Sequence, residues 1–341
     1  MIRFPAPLRP GDRIGVTSPS SGVAGASTRR IDFCVDWLRR RGYDVVVGDC
    51  MDGTGHVSAP KVARAAELTA MLTDLAVRVV VPPWGGETAI DLLDHLDWDA
   101  IAAAEPTWLV GWSDLSTVML PLTLRTGIAT LHGDNLADTP YAVPEGLTHW
   151  LDIAGATEPV TQRDSGLVAD WVRFEDDPTA TEWTHVGTGE WTWHAPAEHT
   201  ESHLEATGRL VGGCLDTVSA LAGTPYGDVP GFAREHCPEG TLVYLEACED
   251  EAFSVCRQLH GLRYAGWFDD ATAILIGRTS APDSTTMTQR EAVLDALGDL
   301  DLPIVFDLEF GHVPPRLPFV NGALATIEVG PDVRRITQEM R

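Results

Sequence analysis

A chain of 341 residues is long enough for two domains, each with its own core. Its 44% hydrophobic and 22% charged residues are globular values, and a net charge of −26 argues against nucleic acid or anionic membrane surfaces as partners. No apolar run approaches the roughly 20 residues of a membrane helix, the start Met1-Ile2-Arg3-Phe4-Pro5 lacks the apolar core of a signal peptide, and six scattered cysteines form no C-x-x-C pair; the expected location is the cytoplasm.

Residues 1–150 alternate strand and helix signals. Arg13–Thr17 reads as a strand and Ser18–Gly22 as a turn. Ile31, Cys34, Val35 and Leu38 form a helical stripe that ends near Arg41-Gly42. Tyr43–Val47 is a strand, and Lys61–Leu75 a helix opened by Pro60. Ala76–Val81 reads as a strand buried on both faces. The glycine turn Trp84-Gly85-Gly86-Glu87 precedes another helix. Trp108–Val110 and Ala129–Leu131 are strands, and between them Leu115, Val118, Met119 and Leu122 mark one face of a helix. This rhythm predicts a doubly wound, mostly parallel sheet. In such sheets the functional loops follow the carboxyl ends of strands, where Gly85-Gly86 and Ser113 fall.

Residues 151–206 lose the rhythm and carry Trp171, Trp183, Trp191 and Trp193. So long a connection is either a β-hairpin excursion with surface aromatics or a lid that stacks tryptophan on a planar ligand. Regular elements return over 207–341, predicting a mixed, β-rich α/β domain. Its strands are Leu242–Glu246, Ala273–Gly277, Pro303–Phe306 and an alternating, edge-like Ala325–Val329; its helices are Glu251–Leu262 and Thr286–Leu297. The active site is expected where the two domains meet.

Gly111-Trp112-Ser113-Asp114 sits at a strand-to-helix turn. Such a turn exposes the serine hydroxyl beside the first N–H groups of the helix, where an oxyanion can be held. Leu115 stands where a hydrolase elbow G-x-S-x-G has its second glycine, and a serine before a helix is also an ordinary N-cap. Two distant residues tip the balance. Glu246 ends an apolar run, and His312 lies in the turn Phe310–Pro315. Serine, carboxylate and histidine form a triad whatever their order along a chain. His194, His199 and His203, with Glu198 and Glu201, are weighed as zinc ligands, but their spacing fails the zinc-peptidase pattern and a solvated acidic loop is the simpler reading.

With these residues placed, the chain resembles the LD-carboxypeptidase family of serine peptidases, which includes the microcin C immunity proteins. The resemblance rests on an ordered set: Leu8–Asp12, Ser18–Ser21, Arg64–Leu68, Gly85-Gly86, Gly111–Asp114, Gly208–Gly213, Leu245-Glu246 and Gly311-His312. It implies that Ser113 is the nucleophile, His312 the general base and Glu246 its orienting carboxylate. The N–H groups of Gly86 and Asp114 become the oxyanion donors, and no metal or organic cofactor is required. Cys214 replaces the asparagine usual after the Gly-Gly pair, so Gly85, Gly213 and Cys214 are expected to line the substrate site in altered form. The long connection resembles that of the immunity branch, in which a loop aromatic stacks on the adenine of an aminoacyl-nucleotide; Trp183, Trp191 and Trp193 are the candidates. The implied partners are a small peptide or aminoacyl-nucleotide substrate and a second copy in a homodimer. The alternatives are a muropeptide LD-carboxypeptidase and a non-catalytic binding protein.

Overall fold

Short, mostly buried runs rich in valine, isoleucine and leucine build the first sheet. The computed structural model describes residues 1–196 and 202–340. Five strands, β1 (Arg13–Val16), β2 (Asp44–Val47), β3 (Val77–Val80), β4 (Trp108–Gly111) and β5 (Thr130–His132), run parallel in the order β5-β4-β3-β1-β2. The chain leaves β1 for the edge at β2 and then crosses to β3 on the other side. The loops after β1 and β3 therefore diverge and leave a crevice at their carboxyl ends. The helix Lys61–Thr73 pins that crevice. Arg64, fully buried, donates to Pro19 O (2.6 Å) and to both oxygens of Asp91 (3.0 and 2.9 Å). Glu67 accepts from the Thr17 hydroxyl and from the Asp49 N–H at 2.6 Å.

The connection that lost the rhythm is largely extended: β6 (Val160–Arg163), β7 (Leu167–Asp170), β8 (Thr184–Thr188) and β9 (Thr192–His194). β7 and β8 pair antiparallel as a separate hairpin. The remaining strands are β10 (Leu204–Cys214), β11 (Thr241–Glu246), β12 (Ala271–Gly277), β13 (Ile304–Leu308), β14 (Phe319–Asn321), β15 (Leu324–Val329) and β16 (Arg334–Glu339). The second sheet is ordered β6-β16-β15-β10-β11-β12-β13-β9, with β10 to β13 parallel. Strands from the connection thus close both of its edges.

The expected α/β architecture holds, with two differences. The alternating segment Ala325–Val329 is an interior strand, because β10 and β16 flank it on either side. Alternation identified the buried Ala325, Ile327 and Val329 but could not see the partner that covers the other edge. The final third is also not confined to the second sheet, since β14 crosses back and pairs antiparallel with β5. All six cysteines are free thiols, four of them buried. Among the described residues no helix is long and apolar enough to cross a membrane.

Candidate active site

The turn after β4 holds Ser113 at φ 64°, a left-handed conformation that costs a non-glycine residue roughly 1–3 kcal/mol. The turn survives because its surroundings fix it. The Trp112 N–H donates to Asn135 Oδ1 (3.2 Å), and a side chain at Gly111 would strike Leu115 and Asn135. The N-cap alternative for Ser113 is not what forms, because no side-chain cap bond starts this helix. Asp114 does the local bonding instead: its carboxylate accepts from the Ser20 hydroxyl (2.5 Å) and the Ala89 N–H (2.8 Å), tying three loops together. Gly85 lies directly over the serine; a Cβ there would sit 3.1 Å from the Ser113 Oγ and 3.0 Å from the Asp114 nitrogen. Gly86, at φ 148°, faces the Ser20 and Ser21 hydroxyls with no room for a side chain.

His312 Nε2 lies 3.1 Å from the Ser113 Oγ, and His312 Nδ1 lies 2.9 Å from Glu246 Oε2. The three residues come from the ends of β4 and β11 and from the loop between β13 and β14. Glu246 is completely buried and its Oε1 has no hydrogen-bond partner among the described residues. Gly311, at φ 93°, packs against the Glu246 carboxyl, 2.5 Å from where its Cβ would be. The Cys214 thiol shares this pocket, and burial, then Glu246 and Asp216, push its pKa far up. Donor atoms of Cys214, Glu246 and His312 fall within 4.8 Å of one another, a spacing that could hold an ion. Both ring nitrogens of His312 are already committed, which leaves the hydrogen-bonded relay as the use the geometry favours.

The pattern of the LD-carboxypeptidase N-terminal domain matches residues 14–133, and that of the LD-carboxypeptidase C-terminal domain matches residues 207–327. The chain belongs to the LD-carboxypeptidase family. It is therefore a hydrolase of the peptidase kind. The microcin C7 self-immunity protein of Escherichia coli is 23% identical over 333 residues, covering 95% of this chain and 92% of that protein. A murein tetrapeptide carboxypeptidase of Pseudomonas aeruginosa is 24% identical over 330 residues, covering 93% of each. The solved microcin C7 self-immunity protein without ligand superposes with a TM-score of 0.81 at 20% identity, covering 100% of this chain and 99% of that one. Another structure of that protein holds aspartyl sulfamoyl adenosine.

In this LD-carboxypeptidase family member a cleft of 300 Å³ opens over Ser113, with Gly86, Asp114 and Cys214 among its walls. Gly213, at φ 155°, packs under Ser116 and so supports the wall rather than facing a ligand. The expected tryptophans divide. Trp183 stacks on Tyr141 (3.8 Å) and meets Trp171 edge-on (6.3 Å). Trp171 lies parallel to Trp112 (6.3 Å), and Trp112 abuts the His312 ring (4.3 Å). Trp191 and Trp193 do not join this tier. Trp193 lies in β9 opposite Val305 and packs on the core of the second sheet. Trp191 is buried, and its indole N–H donates to the Glu309 carboxylate. Neither is placed to touch a ligand over Ser113, because the register of β9 turns Trp193 to the sheet and the bond to Glu309 holds Trp191 in the core. His194 is in β9 and His203 lies near Gly330, while His199, Glu198 and Glu201 fall outside the described residues.

Residues that sequence reasoning missed hold the histidine loop in place. Arg316 donates to Gly311 O (2.8 Å), to Asp134 (2.7 Å) and to Asp138 (3.1 Å), and its guanidinium lies 3.9 Å over the Trp112 ring. Glu309 accepts from the Ser165 N–H and hydroxyl, both at 2.8 Å, and pairs with Arg278 at 3.5 Å. Burial pushes its carboxyl up to about 7, against the pull of Arg278. Trp191→Phe removes one partner of this buried group and is expected to lower unfolding free energy by about 1–3 kcal/mol in urea titrations.

His132, at the end of β5, is buried against Tyr244 and Phe310, with Nε2 unpartnered. Burial pulls its pKa down to about 4. The unfolded chain therefore binds a proton below pH 6.5 that the fold does not, and stability falls as pH drops from 6.5 toward 4. Glu309 acts in the opposite sense: its raised carboxyl takes up a proton in the fold first, and that stability is lost as pH rises from 4.5 through about 7. The informative quantity is the difference between the parent and His132→Phe. The parent is expected to lose about 3 kcal/mol relative to the variant across the histidine range, read from urea midpoints at several pH values.

Proposed function

We propose that the chain cleaves an amide-type bond through Ser113, His312 and Glu246, and that its substrates are aminoacyl-nucleotide inhibitors, as for a microcin immunity protein. The observation that carries this reading is the continuous relay from the Ser113 hydroxyl through both nitrogens of His312 to a buried carboxylate. His312 Nε2 takes the serine proton as Oγ attacks the carbonyl carbon. The oxyanion forms toward the N–H groups of Gly86 and Asp114. The same Nε2 gives its proton to the departing nitrogen, leaving an acyl-enzyme that water, activated by His312, hydrolyses. Glu246 fixes the tautomer and balances the imidazolium. No cofactor takes part, and the reading carries with it a cytoplasmic homodimer.

The two sides of the scissile bond meet different surfaces. The leaving group must face His312, which puts it toward the tier of Trp112, Trp171 and Trp183; Trp112 is buried under the Arg316 guanidinium, so the half-buried Trp171 and Trp183 are the rings left to meet a nucleobase. The acyl group then occupies the cleft that Ser113 shares with Gly86 and Asp114. That cleft carries Glu87, Asp216, Glu249 and Asp250, and among the described residues no lysine, arginine or histidine lines its walls. Asp216 and Asp250 are engaged within the fold, by the backbone N–H groups of Cys248, Glu249 and Asp250 and by Gln258. Burial and then the Glu249 and Asp114 carboxylates raise the Glu87 pKa, which reflects how close these charges stand. An acyl group with an ammonium or guanidinium end fits here, and an aspartyl or glutamyl group is repelled.

The test compares lysyl, alanyl and glutamyl sulfamoyl adenosines with a muropeptide tetrapeptide. Release of the nucleotide with kcat/KM about tenfold or more higher for lysyl than glutamyl is expected. Glutamyl turnover equal to lysyl removes the charge argument. Turnover of the tetrapeptide alone moves the assignment to the second reading, an LD-carboxypeptidase of cell-wall recycling, which the same acidic cleft favours through a diamino-acid residue.

A further inference from the structure

The helix Ala252–Tyr264 carries Cys256 and His260 four residues apart, so both lie on one face. It packs against the helix Gln289–Leu297, which presents Asp295 to the same point. The Cys256 Sγ lies 3.3 Å from Asp295 Oδ2, and His260 Nε2 lies 3.7 Å from that oxygen. All three donor atoms fall within 4.8 Å of one another. An ion with bonds of about 2.3 Å to sulfur and about 2.0 Å to nitrogen and oxygen spaces its tetrahedral ligands roughly 3.3–3.5 Å apart. The trio stands close to that spacing before any ion arrives. Tyr264 stacks 5.8 Å from the His260 ring at 21°, with Nε2 turned to the aspartate, and the buried Nδ1 has no partner among the described residues.

We propose that Cys256, His260 and Asp295 bind a divalent ion of the zinc type, separate from the triad, with water as the fourth ligand. A thiolate, an imidazole and a carboxylate together favour such an ion over magnesium or calcium, which take oxygen ligands. On binding, the thiol releases its proton to solvent and the sulfur lone pair enters the bond to the ion. His260 binds through neutral Nε2 and keeps its hydrogen on Nδ1. The ion adds a link between two helices that already meet through apolar packing and the Arg263 donation to Ala296 O (2.8 Å). The first of them also carries Gln258, whose amide donates to Asp250 (2.6 Å) in the wall of the Ser113 cleft.

Cobalt(II) titration of the reduced 341-residue chain, followed by absorption, tests the site. One equivalent is expected to bind with a sulfur-to-cobalt charge-transfer band, and zinc(II) should displace it. Cys256→Ser should abolish the band. Asp295→Asn, at an exposed position that tolerates change, should weaken binding at least tenfold. The proposal is overturned if the parent shows no charge-transfer band, if the band keeps its amplitude in Cys256→Ser, or if Asp295→Asn binds cobalt like the parent.

Discussion

Ser113→Ala is expected to lower turnover by about 10⁴- to 10⁶-fold while leaving the fold and substrate affinity in place. The size of the effect follows from what the hydroxyl does alone. In the proposed mechanism it is the atom that forms the acyl bond, and what remains after its loss is catalysis by positioning and by the oxyanion donors. The side chain contributes little to the fold at this position. Its hydroxyl bonds to His312, and the turn is held by Trp112, Asn135 and Asp114. Steady-state kinetics with a hydrolysed substrate measures the loss, and calorimetry with the intact substrate on the variant measures affinity. A serine-directed phosphonate should add its mass to the parent and not to the variant. Unchanged affinity in the variant, with no adduct on the parent, would instead make the chain a binding protein.

The second large effect is on stability. Arg316→Met is expected to cost about 3–5 kcal/mol, because it leaves Asp134 and Asp138 buried without their cation. Burial already drives the Asp134 carboxyl above its usual range, and the Arg316 charge is the main force against that shift. The substitution also removes the donor to Gly311 O and the cation over Trp112, so the loop that carries His312 loses its support. Urea unfolding measures the loss. Arg316→Lys should recover only part of it, since one ammonium cannot make the planar fork that reaches Gly311, Asp134 and Asp138 together. A variant as stable as the parent would mean that the two carboxyls accept protons at little cost.

Much of this was legible in the residues. The strands β1 to β5 announced themselves because each is a short apolar run between turn residues. Ser113, Glu246 and His312 stood out because each follows such a run or sits in a glycine–proline turn, where a polar side chain needs a reason. Two of the candidate tryptophans, Trp191 and Trp193, pack on the core of the second sheet instead and mark the limit of that method. Near Trp191 and Trp193, composition suggested a lid, and only distant partners, β13 for Trp193 and Glu309 for Trp191, decide which way each indole points. The supports of the histidine loop were illegible for a different reason. Arg316 meets Asp134 across 182 positions of chain, and Glu309 meets Ser165 across 144. No local pattern encodes a partner at that distance.

The excursion of β14 has a mechanical consequence. His312 lies on the stretch of chain that leaves one sheet at Leu308 and enters the other at Phe319. That stretch is a short tether anchored in both halves of the molecule, so the halves cannot swing apart as a free jaw without pulling on the imidazole itself. The hairpin β7–β8 is bound to the same tether, since the Ala169 N–H donates to Pro314 O (2.8 Å), so the imidazole stays beside Ser113 by anchorage on three sides.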